Sequence, residues 1–379
     1  MFSITERDRR YGAACDAMKS AGLQAVYITG NSTVGTNAFG CYRYFANSRV
    51  IFFMASMVLF ENGQSVAVVN NPMGKINLVN NSFIEDAIVN QDQLGGVIEI
   101  LKSRGIDSGR VGILTEVIPA SWFIRLRKEL PNVEFVEAAD ILYPVRSEKS
   151  AEEAEVQRMC AKIADAGYKA VCETIKPGMY ESEVVAEMEK AMQKMGADEN
   201  FSLVTSGKFS VGKNDLMPLH NYSAVNRKIE VGDVVAMEIT PRYRGYWTQL
   251  VRTICVGEHN ADAEKFRQVV VGAVDEAKKV LRANITIGEV VKKMREYTEA
   301  AGCTFAMPCG HIASVDLNED RLMDDYSRRL TPGMLVIIHP TILLDGMQTG
   351  IFWGESYIIT EDGFESPMES GNELYTVKV

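Results

Sequence analysis

The chain is longer than one typical domain and is acidic. Its 379 residues exceed the roughly 100 to 200 of a usual domain, so we expect two domains. With 40 Lys and Arg against 50 Asp and Glu, the net charge is −10, and no basic block occurs, which argues against nucleic acid or an anionic membrane as a partner.

Cysteine use and hydropathy predict a cytoplasmic protein. The seven cysteines are odd in number and include no C-x-x-C pair, so they do not predict a disulfide framework. The first ten residues carry no apolar run, and we expect no signal peptide. The longest apolar run, 50–60, is shorter than the ~20 residues of a membrane helix and predicts buried strands.

The first part of the chain predicts a small α/β domain. Ser3-Ile4-Thr5-Glu6 has the form of a capping box and predicts an amphipathic helix that ends at Gly22. Apolar runs and helical spacings then alternate. These runs predict strands at 24–29, 50–56 and 65–70, and helices at 91–103 and 120–130. The polar, proline-containing stretch 143–150 predicts a linker, so we place the domains at 1–147 and 148–379.

The second part contains an internal repeat. The pattern E-V-V-x-x-M at 183–188 recurs 106 residues later at 289–294, and Gly196 recurs as Gly302. Each copy follows a predicted long helix and precedes apolar strands. The helices are expected at 151–175 and 261–281, and the strands at 233–240, 245–256, 334–343 and 351–360. This repeat predicts two α+β half-domains related by a pseudo-two-fold axis, with merged sheets and a ligand cleft between them; the alternative is two unrelated helices.

Short segments along nearly the whole chain resemble the creatinase, aminopeptidase P and prolidase family, in that family's order. The segments are VRSEKS at 145–150, IKPGMYE at 175–181, GDVV at 232–235, RT at 252–253, CGH at 309–311, PGM at 332–334 and TEDG at 360–363. The resemblance implies an α/β creatinase/prolidase-type N-terminal domain followed by an α+β pita-bread catalytic domain with internal pseudo-two-fold duplication.

The resemblance also implies a changed metal site. Metallopeptidases of this family bind two metal ions through two Asp, one His and two Glu. Those positions correspond here, in order, to Glu238, Gln249, His311, His339 and Glu355. Gln249 cannot supply a bridging carboxylate, so we expect no dinuclear peptidase centre. The other four residues would suit one Zn, Fe or Mn ion; the alternative is a metal-free site that binds substrate directly, as in creatinase.

Further site residues follow from the same resemblance. His220 corresponds to the catalytic His of creatinase and would act as general acid/base, because a neutral imidazole exchanges protons near pH 7. Glu238 and Glu355 would assist by holding a cationic group or a metal. The position of a second peptidase His reads Asn318, which argues further against peptide hydrolysis.

Two tryptophans and the N-terminal domain suggest how a substrate is bound. Alternation along a strand would place Trp247 beside Gln249 and Trp353 beside Glu355, which favours a cationic or zwitterionic small molecule; ordinary sheet packing is the alternative. Segment 43–49 resembles the part of creatinase that reaches the partner subunit's active site. This likeness implies a homodimer and makes Phe45 and Arg49 candidate substrate contacts. For Arg49 the alternative is an ordinary strand-edge arginine, since the creatinase Arg aligns nearer Asn47.

Three functions therefore remain open. The first is a creatinase-like hydrolase that acts on a C–N bond of a small amino, guanidino or zwitterionic acid. The second is a metal-dependent lyase on a small zwitterion, similar to dimethylsulfoniopropionate lyases of this fold. The third is a pita-bread protein that binds a small molecule or peptide without catalysis.

Overall fold

The chain forms two compact units, Met1–Glu152 and Glu153–Val379. The computed structural model describes residues 2–32, 36–37, 40–49, 54–210, 226–344 and 351–379, and the backbone of 213–214. The predicted boundary after residue 147 lies five residues before this division. No helix among these residues is long and apolar enough to cross a membrane.

The first unit is a mixed sheet packed against helices. Its elements are α1 Ile4–Ser20, β1 Ala25–Asn31, α2 Gly40–Ala46, β2 Met54–Phe60, β3 Ser65–Val69, α3 Pro72–Asn81, β4 Asp86–Val89, α4 Gln93–Ser103, β5 Ser108–Ile113, α5 Ala120–Glu129, β6 Asn132–Glu137 and α6 Ala139–Ser147. The strand order is β4-β3-β2-β1-β5-β6. Strands β1 to β3 pair antiparallel and the other neighbours pair parallel, which confirms the α/β prediction.

Two local predictions in this unit are corrected. The Ser3 hydroxyl caps α1 by accepting from the Glu6 N–H at 3.1 Å, but the Glu6 carboxylate accepts from Arg10 Nε at 2.7 Å, so only half of the capping box forms. The predicted linker is helical up to Ser147, with Pro144 inside α6. Burial of Leu142 and its helical neighbours outweighs the one backbone hydrogen bond that the proline removes.

The second unit contains two five-stranded sheets with helices on their outer faces, and two further sheets of two strands each. Its elements are α7 Ala151–Thr174, α8 Glu181–Lys194, β7 Glu199–Gly207, β8 Phe209–Ser210, β9 Lys213–Asn214, β10 Val234–Tyr243, β11 Tyr246–Trp247, β12 Leu250–Val256, α9 Ala261–Lys278, α10 Ile287–Ala300, β13 Thr304–Ala306, β14 Gly310–Ala313, β15 Asp320–Arg321, β16 Leu335–Ile338, β17 Thr341–Leu343, β18 Glu355–Ile359, β19 Phe364–Glu365 and β20 Tyr375–Val377. In the first five-stranded sheet β10 lies between β7 and β12, and the second has the order β15-β14-β16-β18-β19. The two-stranded sheets are β13-β17 and β8-β9.

The internal repeat is a structural duplication. Helices α8 and α10 both have 14 residues, and in both the N3 glutamate accepts a hydrogen bond from the backbone N–H of the N-cap residue, Tyr180 or Thr286; only Thr286 completes the capping box with its own side chain. Each is followed by a glycine with positive φ, Gly196 at 95° and Gly302 at 75°. Before the strands, Gly232 N–H donates to Val256 O and Gly333 N–H to Ile359 O. Caps, turns and strand contacts therefore recur in both halves, and the predicted duplicated fold is confirmed.

A backbone bridge is one of the links between the two five-stranded sheets. Val251 N–H donates to Gly354 O at 2.9 Å, and Gly354 N–H donates back at 3.0 Å. Apolar side chains on the outer faces pack against α7 and α8 in the first half and against α9 and α10 in the second. The opposite faces of the two sheets are thereby left to line a common site.

Candidate functional site

A cavity of about 460 Å³ lies between the two half-domains. Its lining combines apolar and polar groups from both sheets. The lining residues are Phe201, Glu238, Gln249, Met307, Pro308, Gly310, His311, Leu317, Asn318, Arg321, Leu322, Met323 and His339. Four of the five predicted ligand positions therefore come together, and Glu355 does not line the cavity.

The Glu238 carboxyl group is buried in the cavity wall. Strand β10 places it opposite Val251 of β12, while its neighbours Met237 and Ile239 point into the helix-packed core. Burial raises the pKa of Glu238 to about 7, and hydrogen bonding with the Gln249 side chain offsets part of that rise. The group is therefore present in both protonation states near neutral pH and can exchange a proton with a bound molecule.

Gln249 joins the two half-domains within the cavity. Its side-chain Oε1 lies 3.0 Å from Nε2 of His311 on β14. An amide oxygen only accepts, so Nε2 of His311 carries the proton and donates. Nδ1 of the same ring is buried and makes no hydrogen bond of good geometry with a described residue, although backbone groups of Leu317 and Ile312 lie close enough to raise the pKa of the ring against the larger lowering by burial. The Gln249 amide thus favours the proton on Nε2.

Both cavity histidines are neutral at pH 7. Burial, and then the neighbouring His339, lower the pKa of His311 to about 3. Burial lowers the pKa of His339 to about 4, and the ring centroids of the two residues are 5.4 Å apart. Neutral imidazoles can donate and accept hydrogen bonds without adding charge, so the charge of the cavity comes from other groups.

The structure contradicts the predicted site role of Glu355. On β16, Ile337 lies opposite both His311 of β14 and Ser356 of β18. Glu355, the residue before Ser356, lies opposite Ile338 instead. Opposite residues of antiparallel strands share a face, so Glu355 faces away from the cavity. Its carboxylate accepts hydrogen bonds from the buried Arg252 guanidinium and from the Tyr357 hydroxyl. It is part of the core and cannot act in the cavity.

The predicted tryptophan contacts are also corrected. Strand β11 ends at Trp247 and β18 begins after Trp353, so the assumed alternation does not continue to Gln249 or Glu355. Trp247 packs with the apolar group that includes Leu335, and Trp353 lies in the core of the second half. Both indoles stack on buried arginines. Ordinary sheet packing, the stated alternative, describes both residues.

The described residues do not fit a metal ion. They contain no group of three or more His, Cys, Asp or Glu that could hold one. The donor chemistry explains this: His311 Nε2 donates to Gln249, Gln249 has no charge, and Glu355 is bound to Arg252 behind the sheet. The predicted mononuclear set of Glu238, His311, His339 and Glu355 therefore does not form one site.

Arg321 is a cavity residue that the sequence did not reveal. Strand β15 places it directly opposite His311, and its side chain lines the cavity. Its guanidinium makes no ion pair or hydrogen bond with any described residue. Strand β15 has only two residues, which is too short for an alternating pattern that would predict the side on which Arg321 lies. The sequence shows only that Arg321 follows His311 by ten residues.

Three predicted site residues remain: His220, Phe45 and Arg49. His220 is outside the described residues. Phe45 is fully buried because its face of α2 packs into the first unit, with the Tyr44 ring centroid 5.0 Å and the Tyr11 ring centroid 6.4 Å away. It therefore cannot contact a substrate. Arg49 is exposed, and its predicted role remains a prediction.

Comparisons with known proteins agree with this architecture. The model of metallopeptidase family M24 matches residues 155–361, and that of the creatinase/prolidase N-terminal domain matches 10–147. A probable dipeptidase PepE of Mycobacterium tuberculosis (strain H37Rv) is 26% identical over 386 residues, covering 98% of this chain and 96% of the relative. A creatinase of Bacillus sp. is 25% identical over 393 residues, covering 96% and 91%.

A solved structure extends the likeness to the whole fold. The X-Pro aminopeptidase of Thermotoga maritima superimposes with a TM-score of 0.83 at 19% identity, covering 97% of this chain and 99% of that one. The M24 match spans the duplicated half-domains, and the N-terminal match spans the α/β unit. The chain therefore belongs to metallopeptidase family M24, with a creatinase/prolidase N-terminal domain ahead of its pita-bread domain.

Proposed function

We propose that this protein is a creatinase-like hydrolase that cleaves a C–N bond of a small amino, guanidino or zwitterionic acid without a dinuclear metal centre. Curated relatives of nearly full length bear the names dipeptidase and creatinase, which supports a hydrolase of C–N bonds. Whether the substrate is a peptide or a small acid is inferred from the side chains that line the cavity.

One observation carries the proposal: the cavity is lined by a buried carboxyl group on one half-domain and, on the other, by an exposed guanidinium that has no partner among the described residues. Glu238 belongs to the first half and Arg321 to the second. A guanidinium binds a carboxylate through two parallel hydrogen bonds. A substrate whose carboxylate contacts Arg321 would place its nitrogen-bearing end towards Glu238. Apolar side chains such as Leu322 and Met323 surround the space between them.

The chemistry follows from the protonation states of Glu238. Hydrolysis needs a base that takes a proton from water and an acid that returns one to the leaving nitrogen. The Glu238 carboxylate can take the proton as the water oxygen bonds to carbon, and the resulting carboxylic acid can protonate nitrogen as the C–N bond breaks. The pKa near 7 suits both steps. His220 remains a predicted second acid/base, and Arg49 of a homodimer a predicted substrate contact.

A substrate panel tests the reaction class. Creatine, N-methyl amino acids, betaines and Xaa-Pro dipeptides are assayed together, in water labelled with the heavy oxygen isotope. We expect turnover of a small carboxylate-bearing substrate, with the label in the product. Cleavage of Xaa-Pro dipeptides alone would overturn the proposal, and turnover without label would indicate a lyase.

Substitution of Arg321 tests the binding mode. A hydrogen bond to a charged group contributes about 1.5–3 kcal/mol, so Arg321→Met is expected to raise KM by roughly 10- to 150-fold. Arg321→Lys keeps the positive charge but loses the planar guanidinium group, so its KM is expected to lie between those of the parent and Arg321→Met. An unchanged KM in Arg321→Met would show that the carboxylate binds elsewhere.

A further inference from the structure

The strand that carries Gln249 is interrupted at this residue. Strand β11 ends at Trp247 and β12 begins at Leu250, so Thr248 and Gln249 lie outside the paired strands. Gln249 is nevertheless buried, and a buried backbone N–H or C=O without a partner is costly. The partner for both groups comes from the other half-domain.

The hydroxyl of Ser356 holds the backbone of Gln249 from both sides. Ser356 Oγ accepts from Gln249 N–H at 3.1 Å and donates to Gln249 C=O at 2.9 Å. It also accepts from the Thr248 hydroxyl at 2.9 Å. A serine hydroxyl has one donor and two acceptor positions, so these three bonds use its whole capacity. The side chain is fully buried, and no water competes for them.

Ser356 lies on the same face of the second sheet as His311. The pairing runs from His311 to Ile337 and on to Ser356, and Val251 joins Gly354 two residues away. The hydroxyl therefore adds a second link between the half-domains behind the cavity wall, where it fixes the residue whose amide contacts His311.

We propose that Ser356 is a positioning residue: it fixes Gln249 so that the Gln249 amide keeps the His311 proton on Nε2. The inference rests on the proposed function only for the assignment of this cavity to catalysis. When the hydroxyl is removed, the N–H and C=O of Gln249 both lose their partner. The residue then rotates to regain hydrogen bonds, its amide oxygen leaves His311 Nε2, and the imidazole proton is free to move to Nδ1.

Ser356→Ala tests the proposal, and the chain offers a matched control. Ser314 is equally buried, but its hydroxyl has no partner among the described residues, so Ser314→Ala removes the same atom without touching Gln249. Ser356→Cys keeps a side chain of similar shape with a much weaker donor. It serves as the milder variant if Ser356→Ala fails to fold.

The first measurement is the tautomer of His311 in the whole protein, by long-range proton–nitrogen correlation spectra of labelled imidazoles. We expect one Nε2–H form in the parent and in Ser314→Ala. In Ser356→Ala or Ser356→Cys we expect a mixture or the Nδ1–H form. A folded Ser356 variant that keeps a pure Nε2–H form would overturn the proposal. This readout needs no substrate, so it stands apart from any failure of the proposed reaction.

The second measurement separates kcat from KM. Gln249 also hydrogen-bonds Glu238, the acid/base of the proposed reaction, and displacement of a catalytic group by about 1 Å can cost roughly 100-fold in rate. Ser356→Ala is therefore expected to lower kcat by about 10- to 100-fold with KM little changed. Ser314→Ala should match the parent, and Ser356→Thr, which keeps the hydroxyl, should restore most of kcat. Equal losses in Ser314→Ala and Ser356→Ala would show a merely structural effect and refute the positioning role.

Discussion

Substitution of Glu238 by glutamine should stabilise the second unit relative to the parent more strongly at alkaline pH than at acidic pH. The quantity compared is the free energy of unfolding of the variant minus that of the parent. Burial raises the pKa of Glu238 from its ordinary value of 4.5 to about 7. Below pH 4.5 the carboxyl group is protonated in both the folded and unfolded states. As pH rises to 7, ionisation is easier in the unfolded state, and the folded state loses stability. Glutamine has nearly the same shape and never ionises.

The size of the effect follows from this interval. At about 1.4 kcal/mol for each pH unit, the difference between 4.5 and about 7 corresponds to about 3 kcal/mol. The free energy of unfolding of Glu238→Gln minus that of the parent should therefore increase by about this amount between pH 4.5 and pH 8. Above pH 8 the difference should stay constant.

Urea denaturation at a series of pH values measures this difference. Two of the three tryptophans, Trp247 and Trp353, lie in the second unit, so a Trp122→Phe background makes fluorescence report on that unit alone. Glu258→Gln, the same substitution at an exposed glutamate in the loop before α9, is a matched control, since it makes the same change where there is no burial. A difference that does not change with pH would refute the argument that Glu238 is protonated in the folded protein, and with it the acid/base role.

Three further predictions concern the same unit. Arg252→Met should lower the free energy of unfolding by about 3–5 kcal/mol, because it leaves the buried Glu355 carboxylate without its cation. In urea denaturation, the double variant Arg252→Met/Glu355→Leu should regain most of the lost stability. If the losses of the two single variants simply added, the pairing would be contradicted. Gly354→Ala should lower it by about 1–3 kcal/mol, because the added Cβ would lie 2.5 Å from His339 Cβ and from Ile338 O; an unchanged unfolding midpoint would contradict that crowding. Prolonged chelation should leave turnover unchanged, because Gln249 brings no charge to the cavity and occupies the Nε2 side of His311, while Glu355 is paired with Arg252. Loss of activity that Mn or Fe restores would refute this reasoning.

The duplicated fold could be predicted because its signals are local. The capping residues Tyr180 and Thr286, the E-V-V-x-x-M pattern and the glycines after each helix are each decided within a few residues. These features depend on backbone geometry near one helix end, so the same spacing produces the same turn in both halves. Family resemblance then supplied the order of the segments.

The orientation of the site residues could not be predicted in the same way. Alternation assigns a face only while a strand is continuous, and the second unit interrupts its strands beside the cavity, at Gln249, His339 and Gly354. A shift of one residue moves a side chain to the other face, which is why Glu355 lies in the core. Arg321 was missed for a related reason, since its facing depends on pairing with His311 rather than on any local pattern.

The duplication accounts for the positions of the charged groups on which the proposed binding of a zwitterion depends. Glu238 and His339 each lie six residues after an equivalent glycine of positive φ, Gly232 and Gly333, so the two halves present a carboxyl group and a neutral imidazole at matching positions. The second half adds the Arg321 guanidinium beside His311. The first half therefore supplies the group that can become negative, and the second supplies the positive one. A zwitterion entering this field has one favoured orientation, and reversing the charge at Arg321 with Arg321→Glu should abolish its binding in a calorimetric titration while a neutral analogue binds as before.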